Sequence, residues 1–143
     1  MANPKKIGRP VDASGRSKGD RYIQIYYSLM NTTAWQGMSV LGKAAFLESM
    51  RFYNGSNNGS IAISSRSLAD KLGVGKSTAA RAIEELVSRG FLRLSKASDF
   101  SKKRLASEYR FTHLPCQKTK APPSREYLRY GVAGSVAGPI AAE

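Results

Sequence analysis

The strongest structural signal in the chain lies in residues 68–83, which are Leu68-Ala69-Asp70-Lys71-Leu72-Gly73-Val74-Gly75-Lys76-Ser77-Thr78-Ala79-Ala80-Arg81-Ala82-Ile83. Two helices that cross through a short turn need a small residue at the crossing, and Ala69 supplies it. The turn needs a residue that tolerates a positive φ, and Gly73 follows four residues later. Apolar residues stand at spacings that fill the angle between two such helices: Leu68, Leu72, Val74, Ala79, Ala82, Ile83 and Leu86. The segment therefore predicts a helix-turn-helix.

The second helix of this pair is predicted over residues 76–89 and ends at Gly90, a residue type favoured just past a helix end. One line along it is polar and consists of Ser77, Arg81, Glu84 and Ser88, with Ala80 beside it. This polar line starts at a helix N-terminus, which is the end of a helix that attracts anions.

Hydrophobic spacing predicts the elements on either side of the pair. Aromatic-rich alternation over residues 22–29 predicts a short strand, and residues 31–36 predict one helical turn that carries Trp35. Ser39 predicts the N-cap of a helix that reaches about Tyr53. Strands are predicted at 61–63, 91–94 and 108–113, with a helix capped by Ser64 or Ser65 after the first and a Lys- and Arg-rich loop over 95–107. The fold class is thus mainly α with a small β-hairpin (α+β). The aromatic residues expected in the core are Tyr22, Tyr26, Trp35, Phe46 and Phe52.

Composition divides the chain into three parts. Residues 1–20 are rich in Gly, Pro and basic residues and predict a disordered basic arm, whose Gly8-Arg9-Pro10 partly matches an AT-hook. Residues 21–114 form the predicted folded domain. Residues 115–143 predict a disordered low-complexity tail, although Tyr127, Leu128 and Tyr130 could form a short docking turn.

The charge balance points to a polyanionic partner. The 143 residues contain 23 Lys and Arg against 10 Asp and Glu, which gives a formal net charge of +13, and nucleic acid is the first partner that such an excess indicates. The single cysteine, Cys116, excludes an internal disulfide and a cysteine-based zinc cluster. The single histidine, His113, is expected to be structural. No cofactor, metal site or catalytic role is expected, and the N-terminus has no apolar signal segment, so a cytoplasmic location is expected.

The combined pattern resembles the winged helix-turn-helix family of DNA-binding proteins. Leu-Ala-x-x-Leu-Gly-Val, then Ser-Thr-x-x-Arg-Ala-Ile-x-x-Leu, then Arg-Gly-Phe-Leu is similar to the pattern of GntR- and MarR-like regulators and of the N-terminal domains of phage and plasmid replication proteins. The resemblance covers about residues 40–112. Gly75 departs from it, since the family often has Ser there, whose hydroxyl can contact phosphate.

The resemblance implies how DNA would be held. The recognition helix, 76–89, would enter the major groove with Lys76, Ser77, Thr78, Ala80 and Arg81. The wing, 95–107, would lie over backbone or minor groove with Lys96, Lys102, Lys103 and Arg104. Ser65 and Arg66 would contact phosphate, and the arm would add Lys5, Lys6 and Arg9.

A nucleotide-binding interpretation of the same segment fits less well. Gly75-Lys76-Ser77 matches the end of a P-loop, but that loop requires Gly five residues before Gly75, where this chain has Asp70. It also requires a preceding strand, whereas a helix is predicted there. We therefore expect no nucleotide binding and no enzymatic activity.

The function predicted from the sequence is binding of double-stranded DNA as a nucleoid-associated bacterial or phage transcriptional regulator. A phage or plasmid replication or maintenance factor would use the same domain. An RNA-binding or ribosome-associated basic protein is an alternative of another class, as is an adaptor that binds protein. Oligomeric state stays open, including a homodimer on palindromic sites, and no membrane partner is expected.

Overall fold

The computed structural model describes residues 21–97 and 106–131. Within them the chain forms five α-helices: α1 (Tyr27–Met30), α2 (Thr33–Gln36), α3 (Val40–Met50), α4 (Ser65–Leu72) and α5 (Lys76–Ser88). Three strands, β1 (Ile61–Ala62), β2 (Leu92–Lys96) and β3 (Glu108–Phe111), and a 3-10 helix (Glu126–Arg129) complete the described chain. The predicted α+β class is confirmed at this level.

Serine and threonine side chains fix where the helices begin. The hydroxyl of Ser39 accepts a hydrogen bond from Gly42 N–H at 2.9 Å at the start of α3, and that of Ser64 accepts from Ser67 N–H at 3.1 Å at the start of α4. Each bond satisfies one of the N–H groups that a helix leaves unpaired at its N-terminus. The predicted cap at Ser39 is confirmed, and Ser64 rather than Ser65 caps α4.

Helices α3, α4 and α5 pack against one another, and a short turn joins the last two. Gly73 ends α4 in the left-handed region with φ 68°, and the N–H of Val74 bonds back to Ala69 O at 3.1 Å. Only glycine adopts this conformation without steric cost, so the turn predicted at Gly73 is confirmed.

The three strands form one antiparallel sheet in the order β1-β3-β2. Ile61 pairs with Tyr109, and Leu92 pairs with Phe111, so β3 lies in the centre. The register between β2 and β3 shifts between Leu94, which pairs with Tyr109, and Lys96, which pairs with Glu108, so β2 has one extra residue there, as in a β-bulge.

Aromatic rings fill the space between the helices and the sheet. Phe46 of α3 lies at the centre and meets Trp35, Phe91 and Phe111 edge-on, with ring centroids 5.4, 5.6 and 5.8 Å away. Such edge-to-face pairs add to the free energy of burial alone. The predicted core positions of Trp35 and Phe46 are confirmed.

The strand predicted at residues 22–29 is wrong. Residues 21–26 have no regular structure, and α1 follows from Tyr27. Only Ile25 and Leu29 of this segment pack against the core, and their spacing of four is helical. The alternation came from tyrosines that do not enter the core: Tyr22 is 65% exposed and Tyr26 61%.

The predicted disordered tail is also wrong for residues 115–131, which we call the C-terminal strap. Tyr127 is buried and stacks on Phe91 with ring centroids 5.1 Å apart. The N–H of Arg125 bonds to Thr112 O at 2.8 Å, and the Arg89 guanidinium lies 4.7 Å from the centroid of the Tyr130 ring. The ordered part of the chain therefore passes the predicted boundary at 114, and Tyr127 does form the docking turn left open above.

Some predictions fall outside the described residues. They concern the basic arm over 1–20, the wing residues Lys102, Lys103 and Arg104, and the last residues, 132–143. Among the residues that the structure does describe, none of the helices has the length and apolar character needed to cross a bilayer.

Candidate nucleic-acid interface

Helix α5 has one buried and one exposed side, as its sequence predicts. Its buried residues are Ala79, Ala82, Ile83 and Leu86. Lys76, Ser77 and Arg81 are exposed, and Thr78 and Ala80 are half-buried at the margins of the exposed side. Since four apolar side chains hold the helix in the core, the rotation that presents Arg81 to solvent is fixed.

The N-terminus of α5 is suited to a negative charge. Gly75 is the N-cap residue, with φ −71° and ψ 158°, and it has no side chain that could accept a bond from the first N–H groups. The first turn, Lys76-Ser77-Thr78-Ala79, contains no carboxylate. The positive end of the helix dipole and the positively charged Lys76 therefore lie at the same end of α5.

Strand β2 of the β2–β3 hairpin packs against α5. Burial raises the pKa of Tyr109 on β3, a hydrogen bond with Ser107 opposes the shift, and the negative charge of Glu84 on α5 adds to it. Lys96 is exposed at the end of β2, whereas the rest of the predicted wing tip is outside the described residues.

The start of α4 contributes two further predicted contacts. Ser65 is the first residue of the helix and half-buried, and Arg66 follows it and is exposed. Ser64, which was predicted only as a cap, is committed to the N–H of Ser67. Of the two predicted phosphate contacts in α4, Arg66 is therefore the charged and the more exposed one.

An ion cluster at the base of the hairpin was missed by the sequence analysis. Oε1 of Glu126, in the strap, lies 2.9 Å from Nη1 of Arg93 on β2 and 3.4 Å from Nη2 of Arg110 on β3. Glu126 is buried, so this carboxylate offsets the charge of both arginines and ties the two strands to the strap. Glu126 is 16 residues from Arg110 and 33 residues from Arg93 in the sequence. No local sequence pattern identifies ion pairs between residues so far apart.

The single histidine and the single cysteine of the chain have structural surroundings. Cys116 is a buried free thiol whose Sγ donates to Asn58 O at 3.5 Å. Burial lowers the pKa of His113 to about 4, and neither of its ring nitrogens has a hydrogen-bond partner among the described residues. The His113 ring packs against Phe46 and Phe111. Within 21–97 and 106–131, His, Cys, Asp and Glu form no group of three that could hold a metal ion.

The P-loop interpretation lacks its structural context. The residues before Gly75 form helix α4, whereas a P-loop follows a strand.

Comparisons with protein-family models, with curated proteins and with solved structures find no match to this chain. The resemblance to winged helix-turn-helix proteins therefore stays a prediction.

Proposed function

We propose that this protein binds double-stranded DNA through a winged-helix domain. Two features of topology support the proposal. The chain order α3, β1, α4, α5, β2, β3 is the order predicted for a winged helix, and β3 lies between β1 and β2 in the sheet. Strand β2 of the hairpin that would be the wing packs against the helix that would enter the groove.

The observation that carries the proposal is the first two turns of α5. Lys76, Ser77 and Arg81 are exposed together at an N-terminus whose first turn contains no acid. A helix fits the major groove of B-DNA, and a guanidinium there can donate to guanine O6 and N7 together. We assign base contact to Arg81 and phosphate or base-edge contact to Lys76 and Ser77. Thr78 and Ala80 would provide close apolar or hydroxyl contacts beside them.

The remaining predicted contacts are to the DNA backbone. Arg66 at the start of α4 and Lys96 at the end of β2 are exposed cations on elements that adjoin α5. Lys102, Lys103 and Arg104 extend the same hairpin in sequence, and Lys5, Lys6 and Arg9 would add contacts from the arm. Such contacts supply affinity that depends on salt rather than on sequence.

The biological role that we propose is transcriptional regulation, without enzymatic activity and with the nucleoid as location. A replication or maintenance role at a phage or plasmid origin would use the same DNA contacts. Which of the two applies follows from where the preferred sites lie.

Selection of bound duplexes from a random pool tests the proposal, followed by fluorescence anisotropy with the selected and a scrambled duplex. We expect Arg81→Ala to weaken binding of the selected duplex by about 1–3 kcal/mol and to weaken the scrambled duplex less. Lys43→Ala removes one positive charge from α3, outside the proposed interface, and is the matched control. Failure to enrich any duplex, or equal effects of Arg81→Ala on both duplexes, would contradict base recognition by α5.

A further inference from the structure

A groove that the proposed duplex interface does not use lies at the ends of α3 and α4. Its volume is about 430 Å³. Residues from three separate segments line it, and the six that matter here are Arg21, Tyr22, Arg51, Phe52, Tyr53 and Lys71. Three are cationic, three are aromatic, and none of the described residues that line it is acidic.

The cations of the groove differ in how far they are engaged. Arg51 pairs with Glu48 at 3.1 Å, so its charge is largely offset. Arg21 donates one hydrogen bond to Tyr53 O at 3.2 Å, and this bond uses one of its five N–H donors. Nζ of Lys71 lies 5.4 Å from the centroid of the Phe52 ring, a cation–π contact that leaves its donors for an anion. Arg21 and Lys71 can therefore contact a phosphate.

The aromatic residues present apolar rings beside these charges. Tyr22 is 65% exposed, contrary to the prediction that it belongs to the core. Phe52 and Tyr53 are half-buried and pack against the core, and Phe52 has Lys71 over its ring. An exposed tyrosine ring beside cations is a suitable surface for a nucleobase, because every base has a face that can stack.

We propose that this groove binds a single-stranded segment of nucleic acid, with a base stacked on Tyr22 and phosphates held by Arg21 and Lys71. Duplex DNA cannot use the aromatic half of the groove, since its bases are already stacked within the helix. Lys71 lies in the last turn of α4, five residues before Lys76, so the groove adjoins the turn that leads into α5. The inference does not depend on recognition of duplex DNA by α5.

The test uses the full chain and a fluorescein-labelled oligothymidylate of about 12 nucleotides, a length within the range that single-strand sites cover. Affinity is measured by anisotropy at several salt concentrations. We expect Tyr22→Ala to weaken binding about five-fold or more, as loss of a stacking platform does, and Tyr22→Phe to retain it. Tyr27→Ala, at a ring that is 83% exposed and outside the groove, is the matched control and should change nothing.

Charge is tested in the same assay. Lys71→Gln should weaken binding of the single strand and make the affinity depend less steeply on salt. Lys43→Gln removes an equal charge elsewhere and should weaken binding less. Tyr22→Ala should leave a blunt duplex unaffected, and Arg81→Ala should leave the single strand unaffected, so the two proposals can fail separately. No binding of the oligothymidylate, equal effects of Tyr22→Ala and Tyr27→Ala, or equal losses on single strand and duplex would each overturn the groove proposal.

Discussion

The close approach of Gly90 to the C-terminal strap gives the sharpest test of the fold. Gly90 follows α5 with φ 86°, and a Cβ placed on it would lie 2.7 Å from both the carbonyl carbon of Glu126 and the backbone nitrogen of Tyr127. Real side chains do not approach backbone atoms so closely. Gly90→Ala therefore combines an unfavourable φ with displacement of the strap.

Gly73 separates these two effects. It also has a positive φ, 68°, but a Cβ there would meet nothing within 4 Å. Forcing a non-glycine residue into the left-handed region costs about 1–2 kcal/mol, which applies to both positions. Moving packed neighbours costs about 1–3 kcal/mol more, and only Gly90→Ala incurs it. We expect Gly73→Ala to lower the free energy of unfolding by about 1–2 kcal/mol and Gly90→Ala by about 2–5 kcal/mol.

Urea unfolding followed by tryptophan fluorescence measures the difference. Trp35 is the single tryptophan of the chain, and its ring packs against Phe91 next to the strap. In a domain of this size each kcal/mol corresponds to about 4–8 °C in Tm, so thermal unfolding gives an independent check. An equal decrease of the free energy of unfolding in Gly73→Ala and Gly90→Ala would refute the packing of the strap against the end of α5.

Three further predictions concern the strap, the half-buried histidine and the wing. Tyr127→Ala should lower the free energy of unfolding by about 2–4 kcal/mol, whereas Leu128→Ala, at a side chain that is 53% exposed, should lower it by less than about 0.5 kcal/mol; similar values in denaturant titrations would show that Tyr127 is not buried. The pKa of His113 is lowered to about 4 in the folded protein, so the unfolded chain binds the proton more readily, and stability should be full above about pH 6.5 and fall by up to about 3 kcal/mol as the pH drops towards 4. A His113→Phe variant should lose this pH dependence, and an unchanged profile would contradict the assignment. Replacing Lys102, Lys103 and Arg104 together by Ala should weaken selected and scrambled duplexes alike and reduce the slope of log K against log salt by about 0.9 for each phosphate that is no longer neutralised; an unchanged slope would mean that the wing does not contact DNA.

The sequence predicts those parts of the fold that local chemistry determines. Ser39 and Gly73 mark a helix start and a helix end because capping and positive φ each require particular residues at one position. The helical spacing of the apolar residues in α5 predicts which side of the helix is buried and which is exposed. These features also place Lys76, Ser77 and Arg81 at the surface, so the core of the candidate duplex interface was predictable.

Features built from distant residues were not predictable. The strap is held by Tyr127, by backbone bonds such as Arg125 N–H to Thr112 O, and by the Glu126 cluster, none of which gives a periodic pattern. The groove joins residues 21–23, 50–53 and 71, which only the tertiary structure brings together. Tyrosines at 22 and 26 satisfied a strand pattern, yet β propensity reflects packing on a sheet face, and no strand of the described sheet pairs with that segment.

Chemical ageing of this protein has its largest structural consequence at the buried carboxamide of Asn58, one of two asparagines in the chain that precede glycine. Its Nδ2 donates to the carbonyl oxygens of Phe111, Leu114 and Pro115 at 3.0, 3.2 and 2.9 Å, and its Oδ1 accepts from the N–H of Phe111 at 2.7 Å. Glycine follows at 59, and an asparagine before glycine is the arrangement most open to loss of ammonia from its side chain. Deamidation to aspartate would set a carboxylate against three carbonyl oxygens with no proton to share, inside the protein. These hydrogen bonds fix the orientation of the amide in the folded state. We therefore expect Asn58 to deamidate more slowly in the folded protein than in the unfolded chain, and a chain that carries aspartate at 58 to refold less readily.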